Sequence, residues 1–85
     1  MPKSVFSRAY KIFLDEFRKA RMSAGTQEQI ARRIGQTQTF VSKCERGERR
    51  IDVVELIAFC NALDIDPAEL VRTVHTRIGK SPKIL

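Results

Sequence analysis

The sequence predicts an all-α fold, a single domain of five helices without strands, in which a tight turn joins the second and third helices. Two observations point to this fold. Apolar residues recur at spacings of three and four along most of the 85-residue chain, and residues that favour helix starts and stops separate these stretches. The composition, 42% apolar and 31% charged, is typical of a globular chain with one modest core and not of a disordered chain.

The first helix is predicted over about residues 4–22, with Ser4 as its N-cap. Residues at helical spacing form one face of this amphipathic helix: Phe6, Tyr10, Phe13, Leu14, Phe17 and Arg21. The phenylalanines at positions 6, 13, 17 and 59 are expected to fill the core and to carry no function of their own.

The second helix is predicted over about residues 27–34. Thr26 and Gln29 have the spacing of a capping box, in which the cap hydroxyl and the side chain three residues later each bond a free amide. Ile30, Ala31 and Ile34 then share one face. Gly35 ends the helix, because a glycine can turn the backbone through positive φ without a Cβ clash.

The third helix is predicted over about residues 38–46, with Thr37 as its cap and Val41 and Cys44 facing the interior. Ala31 is small enough to let the second and third helices cross closely, so the run from Thr26 to Gly47 is interpreted as a helix-turn-helix. An ordinary αα-hairpin of a helical bundle would show similar caps and faces and remains the alternative from spacing alone.

The last two helices are predicted over about residues 53–63 and 67–78, with a tail at 79–85. Asp52 and Glu55 form a second capping box, and Asp66 with Pro67 begins the fifth helix as N-cap and first-turn proline. The apolar stripes are predicted to be Val53, Leu56, Ile57, Cys60 and Leu63 in the fourth helix and Leu70, Val71, Val74 and Ile78 in the fifth.

Charge is distributed unevenly along the chain, which has a net charge of +6. Residues 1–50 hold twelve Lys or Arg against five acids, hence +7, whereas residues 51–85 hold four against five, hence −1. The basic half contains the helix-turn-helix, which indicates a polyanion partner, most plausibly duplex nucleic acid. Taken singly, any one of these cations is as readily explained as a solvated surface charge.

The sequence disfavours several other classes of protein, namely membrane, secreted, metal-binding and catalytic proteins. No apolar run approaches the roughly 20 residues that a transmembrane helix needs, and the charged N-terminus does not fit a signal peptide, so a cytoplasmic protein is expected. Cys44 and Cys60 lack C-x-x-C spacing and are expected to be buried reduced thiols. No metal, cofactor or catalytic residue is expected, and His75 is interpreted as a surface or interface side chain.

From about Arg18 to Leu70 the chain resembles the lambda-repressor and Cro family of helix-turn-helix regulators, often called XRE-type. The matching residues are Thr26-Gln27, Ala31, Gly35, Phe40-Val41-Ser42-Lys43 and Glu45-Arg46-Gly47. The resemblance implies a five-helix lambda-repressor-like domain that binds double-stranded DNA. The chain departs from the family pattern at Gly25, which Thr26 follows directly, and at Gln36, where the family commonly has an apolar residue.

In such proteins the start of the third helix reads base edges in the major groove. Gln38, Thr39 and Lys43 are therefore the predicted base readers, since their side chains suit adenine, the thymine methyl and guanine respectively. The other predicted DNA contacts are Gln27 beside the free amides of its helix, Ser42, Arg46, Arg49, Arg50 and Phe40. Phe40 could instead belong to the core.

The resemblance also implies an ion pair between Glu45 and Arg21 that fixes the third helix, although a surface pair of little energetic value is an equal alternative. One motif reads few base pairs, so a homodimer on a near-palindrome is expected, with the fifth helix and Ile84-Leu85 as its candidate interface. The predicted function is a transcriptional regulator, most plausibly a repressor located on the nucleoid. The rival interpretation is an antitoxin-like or cofactor-like module that binds a protein partner.

Overall fold

The structure is a computed structural model that describes residues 7–85, so the predicted roles of Ser4 and Phe6 lie outside the described residues. Within this range the chain folds into five helices and no strand, which confirms the predicted all-α class. The helices are α1 (Arg8–Ala24), α2 (Gln27–Ile34), α3 (Gln38–Glu45), α4 (Val53–Leu63) and α5 (Pro67–Ile78). None of them is long and apolar enough to cross a membrane.

Side chains that cap the backbone set where most helices begin. Ser7 accepts a hydrogen bond from the amide of Tyr10 at 3.1 Å, so α1 starts at Arg8, later than the sequence suggested. The capping box of α2 is confirmed, since Thr26 accepts from the Gln29 amide at 3.1 Å and the Gln29 side chain accepts from the Thr26 amide at 2.9 Å. The box at the start of α4 and the first-turn proline of α5 are also confirmed.

The core lies where all five helices converge, and α5 contributes Leu70 and Val74 to it. Its largest fully buried side chains are Phe17, Ile30, Val41, Cys44, Phe59 and Cys60. The rings of Phe17 and Phe59 meet edge to face with centroids 4.8 Å apart, a favoured aromatic geometry. Both cysteines are free and buried, as predicted. The expected core role of these two phenylalanines is therefore confirmed.

The predicted stripe of α4 was wrong at two positions. Val53 and Ile57 are 69% and 43% exposed, whereas Phe59, which was left out of that stripe, is 1% exposed and joins Leu56, Cys60 and Leu63 inside. The reason is that α4 is apolar on almost every side, so spacing alone does not tell which side faces the core. In α5 the stripe fails at Val71, which is 51% exposed.

The turn between α2 and α3 fixes the crossing of the two helices. Gly35 has φ of 71° and ψ of 31°, in the left-handed region, and the amide of Gln36 bonds the carbonyl of Ala31 at 2.9 Å. Ala31 itself is 2% exposed against the core. Gln36 is exposed, and the surface cleft beside it, about 360 Å³ in volume, reaches Phe40 and Phe59.

Candidate nucleic-acid interface

The third helix is anchored by its inner side and presents its outer side to solvent. The Thr37 hydroxyl accepts from the amide of Phe40 at 3.1 Å and so begins the helix. Val41 and Cys44 are fully buried, which sets the rotation of α3 about its axis. The side chains of Thr39 and Lys43 are consequently exposed on the opposite side, and Gln38, the third predicted base reader, is exposed at the first residue of the helix.

Gln38 is held in place by a neighbouring helix. Its side-chain amide donates to the Gln27 side-chain oxygen at 2.6 Å, and the Gln27 amide donates in turn to Glu45 Oε1 at 3.0 Å. Both glutamines are the first residues of their helices, and the turn at Gly35 brings these helix starts together. The hydrogen bond to Gln27 orients the Gln38 side chain and leaves its amide oxygen and one amide hydrogen without a described partner.

The chain of hydrogen bonds ends in an ion pair between α1 and α3. Arg21 Nε lies 2.6 Å from Glu45 Oε2 and Nη2 lies 2.9 Å from Oε1, a bidentate arrangement. The side chains are 13% and 3% exposed respectively, so the pair is largely shielded from water. Hydrogen bonding to Glu45 raises the pKa of the Arg21 guanidinium above its ordinary value. The alternative of a weak surface pair does not apply, since surface pairs are exposed.

An open depression lies beside Gln38 at the start of α2. Its lining includes Thr26, Gln27, Gln38 and Arg21, and its volume is about 760 Å³. The first amides of α2 have no partner within the helix, and the helix dipole makes this end favourable for an anion. Glu28 also borders the depression, and its carboxylate is paired with Arg32 at 3.0 Å. The arrangement suits a phosphate contact at Gln27 next to a base contact at Gln38.

The predicted cationic contacts fall into two groups. Lys43 forms no ion pair within the described part of the chain. By contrast, Arg46 donates to Glu48 at 2.6 Å and to the Ser42 hydroxyl at 2.8 Å, and so occupies both of those side chains. Arg46 and Ser42 would have to exchange these exposed contacts for phosphate, at small cost.

The arginines after α3 rest on aromatic rings. The Arg49 guanidinium lies 4.8 Å from the Phe40 ring centroid and also pairs with Glu55 at 2.6 Å. The Arg50 guanidinium lies 4.4 Å from the Tyr10 ring centroid. The Tyr10 hydroxyl accepts from the amide of Ile51 at 3.0 Å and thereby ties this loop to α1. The loop is fixed, and both arginines remain exposed.

Phe40 sits at the edge of the core. Its ring is stacked on Phe59, with centroids 6.2 Å apart and planes 13° apart, and Arg49 covers it from another side. The side chain is half-buried and packs against the core cluster. This geometry favours the core alternative for Phe40 over a DNA contact.

Two features of the site were missed in the sequence. Sequence reasoning gave Gln27 only a phosphate contact, whereas the structure also makes it the link between Gln38 and Glu45. The available signal was a glutamine directly after each of two helix caps. The contact of Tyr10 with the backbone of Ile51 had no local signal, since the two residues are 41 positions apart.

The chain is similar to solved structures of known class. A XRE-family like protein from Pseudomonas syringae pv. tomato is 40% identical, with a TM-score of 0.78 and coverage of 84% of this chain and 88% of that one. The helix-turn-helix family profile matches residues 17–70, more than half of the chain. The chain belongs to the XRE-type helix-turn-helix family. This XRE-type chain is also 36% identical to the restriction-modification controller protein C.AhdI from Aeromonas hydrophila, with a TM-score of 0.62 and coverage of 68% of this chain and 86% of that one. No protein of curated function matches it significantly.

Membership of the XRE-type family makes the protein a DNA-binding transcriptional regulator and not an enzyme. The matched range extends from the second half of α1 to the first turn of α5, so it contains α2, α3 and the Arg21–Glu45 pair. In the XRE-type chain His75 is exposed, Cys44 and Cys60 are buried, and no cluster of potential metal ligands occurs among residues 7–85.

Proposed function

We propose that the protein is a sequence-specific repressor that inserts α3 into the major groove and binds a near-palindromic operator as a homodimer. Gln38, Thr39 and Lys43 read bases, and Gln27, Ser42, Arg46, Arg49 and Arg50 bind the backbone. Because its proposed target is double-stranded DNA, the protein acts in the cytoplasm and associates with the nucleoid when bound to DNA. A homodimer is required because one recognition helix contacts too few base pairs to select a single site.

The observation that carries the proposal is the common exposure of three side chains with different base preferences on one side of an anchored helix. Gln38, Thr39 and Lys43 are all exposed, while Val41 and Cys44 on the inner side are 0% exposed. A helix of this kind can enter a groove about 12 Å wide without unpacking the core. The hydrogen bonds from Gln38 through Gln27 to Glu45 reduce the entropy that Gln38 would lose on binding.

Electrostatics support duplex DNA as the target. The surplus cations are in the half of the chain that contains α2 and α3. Lys43 is exposed on α3, and Arg49 and Arg50 are exposed in the loop that follows it. Binding through several phosphates releases counterions, so affinity falls steeply with salt. A protein partner held on apolar helix faces would show little such dependence.

Selection of bound duplexes from a random pool at near-physiological salt tests the proposal. We expect enrichment of a near-palindrome whose half-sites are centred about ten base pairs, or about 34 Å, apart. The proposal would be overturned if no sequence were enriched and binding disappeared as salt rose. Residues 1–50 would then bind polyanions only non-specifically.

The sign of regulation needs a separate measurement. A reporter gene whose promoter overlaps the selected operator should be expressed less when the protein is produced, because the bound dimer competes with polymerase. A variant with Lys43→Ala serves as the control, since it retains the fold and loses the base contact. Increased expression from the reporter would show an activator instead.

A further inference from the structure

Arg49 and Arg50 differ in how their guanidinium groups are held. Arg49 donates to the carbonyl of Arg50 at 3.1 Å and to the Glu55 carboxylate at 2.6 Å. The guanidinium of Arg50 forms no ion pair and no hydrogen bond among residues 7–85. It lies 4.4 Å from the centroid of the Tyr10 ring. Contact with a ring occupies none of the five N–H donors of a guanidinium, so all of them can bond a phosphate.

Tyr10 is a rigid support for this arginine. It is 8% exposed, and its ring packs against that of Phe13 with centroids 5.4 Å apart. The Tyr10 hydroxyl also accepts from the amide of Ile51 at 3.0 Å, and Ile51 directly follows Arg50 in the chain. One side chain of α1 therefore holds both the backbone beside Arg50 and the Arg50 guanidinium.

The loop that carries Arg50 is also bonded to α3. The carbonyl of Lys43 accepts from the amide of Glu48 at 3.0 Å and from the amide of Arg49 at 3.3 Å. Lys43 is one of the proposed base readers, so the loop is bonded to the helix that would enter the groove. Because α3 holds the loop on one side and Tyr10 holds it on the other, the position of Arg50 relative to α3 is set before any DNA binds.

We propose that Tyr10 is a positioning residue for DNA binding, whose ring holds the Arg50 guanidinium where it meets a backbone phosphate beside the groove that α3 enters. The inference rests on the proposed function in one respect, namely that Arg50 contacts phosphate. An unrestrained arginine loses the freedom of several rotatable bonds when it binds, whereas an arginine already held on a ring loses less. Tyr10 thus raises the affinity for DNA through Arg50, without a DNA contact of its own.

The alternative is that Tyr10 only stabilises the fold. Its burial and its bond to Ile51 suit that role, and the effect of removing the ring on DNA affinity would then be the same with or without an arginine at position 50. A positioning role predicts instead that this effect disappears when Arg50 is removed. The two roles therefore differ in the energetic coupling between Tyr10 and Arg50, which a double-mutant cycle measures.

The cycle is measured by titrating the protein with a short duplex of fixed, arbitrary sequence at low ionic strength, because a phosphate contact needs no particular operator. Tyr10→Leu should weaken binding about 3- to 10-fold in the protein that retains Arg50. In the protein that carries Arg50→Ala, the same change should alter the affinity by less than about twofold. Arg49→Ala is the matched control background. The effect of Tyr10→Leu should persist there, because Arg49 lies on the Phe40 ring.

Tyr10→Phe separates the ring from the hydroxyl. This variant keeps the ring under Arg50 and loses the hydrogen bond to the Ile51 amide. Its thermal midpoint should fall, because that bond is lost, while it should bind the duplex nearly as tightly as the unsubstituted protein. Circular dichroism of each variant checks that the helices are retained.

A second measurement needs no change at Tyr10 and uses its fluorescence. Tyr10 is the single tyrosine of a chain without tryptophan, so quenching of this emission by acrylamide reports the exposure of one ring. Arg50→Ala should increase the quenching, because it uncovers the ring. Addition of the duplex to the unsubstituted protein should not increase it, because Arg50 stays on the ring while it binds phosphate.

Three results would overturn the inference: an equal effect of Tyr10→Leu with and without Arg50, a Tyr10→Phe variant that binds as weakly as Tyr10→Leu, or increased quenching of Tyr10 in the complex. The measurements also separate this inference from the proposed function. If a random pool yields no enriched sequence while the effect of Tyr10→Leu depends on Arg50, sequence-specific repression is refuted and the positioning role is supported. If a near-palindrome is enriched and Tyr10→Leu binds it as tightly as the unsubstituted protein does, the proposed function is supported and the positioning role is refuted.

Discussion

Lys43 is the cationic side chain among the proposed base readers. It is exposed on α3 and has no ion-pair partner within residues 7–85. Lys43→Ala should remove about 1–3 kcal/mol of discrimination at one position of each half-site and leave the melting temperature unchanged. Arg50→Ala should instead weaken all sequences alike and reduce the salt slope by about 1. Competition binding with single-base operator variants checks both, and similar effects on specificity would contradict these roles.

Gln27 connects Gln38, a proposed base reader, to the buried Glu45. Gln27→Ala should lower discrimination at the base pair that Gln38 reads by about 1 kcal/mol or more, because Gln38 would lose its 2.6 Å hydrogen bond and its fixed orientation. Gln36→Ala, at an exposed glutamine outside this chain of bonds, is the matched control. Uniform weakening across all operators would mean that Gln27 acts only on phosphate.

At this scale the sequence predicts which side chains are exposed on α3 but not how they are connected. Positions 39 and 43 follow from the helical period once Val41 and Cys44 are placed inside, and position 38 follows from its place at the exposed start of the helix. The Arg21–Glu45 pair came from family resemblance, since the two residues are 24 positions apart and no local spacing indicates the contact. The link through Gln27 depends on the angle between two helices, which residue spacing does not specify.

The turn between α2 and α3 is the element on which the reading geometry depends. Gly35→Ala should lower the free energy of unfolding by about 1 kcal/mol. Residue 35 has φ of 71°, in the left-handed region, where a residue with a Cβ is strained. Apart from residues 34–36 themselves, no atom lies within 4 Å of a Cβ added at this position, so the cost comes from the backbone conformation. Gly35→Asn should cost less, since asparagine tolerates this conformation. Urea denaturation measures both, and equal costs would point to a steric cause.

Capping residues made the helix starts predictable, whereas the direction in which α4 faces was not. Thr26, Asp52 and Pro67 act through local bonds and fixed φ, so their effect can be deduced from a few neighbouring residues. By contrast, α4 has apolar residues on two sides, and only the packing of the whole molecule determines which side is buried. Phe59 is buried, with its ring packed against that of Phe17, whereas Ile57 is partly exposed.

At the scale of the whole molecule, buried thiols make stability depend on alkaline pH. Burial raises the pKa of Cys44 from 9.0 to about 11, and burial also raises the pKa of Cys60. Above pH 9 the unfolded chain releases a thiol proton that the folded chain keeps, so the free energy of unfolding falls as pH rises towards 11. The Cys44 contribution is on the order of 2 kcal/mol.

Cys44→Ala isolates that contribution from the other groups that titrate in alkali. Its stability at neutral pH should be lower, because a buried side chain is truncated. Its further loss from about pH 8 to about pH 11 should be smaller than that of the unsubstituted protein. Urea denaturation across this range measures the difference. Equal losses in the two proteins would show that Cys44 does not ionise on unfolding.

Cys44 lies on the inner side of α3, the proposed recognition helix, with no exposed surface at all. A thiol reagent can therefore modify Cys44 only when α3 opens away from the core. The labelling rate thus measures how often this local opening occurs. Operator DNA should slow the reaction of Cys44 by holding α3 in place. The native thiol of Cys44 can thus report the opening of the proposed recognition helix without the introduction of any label site.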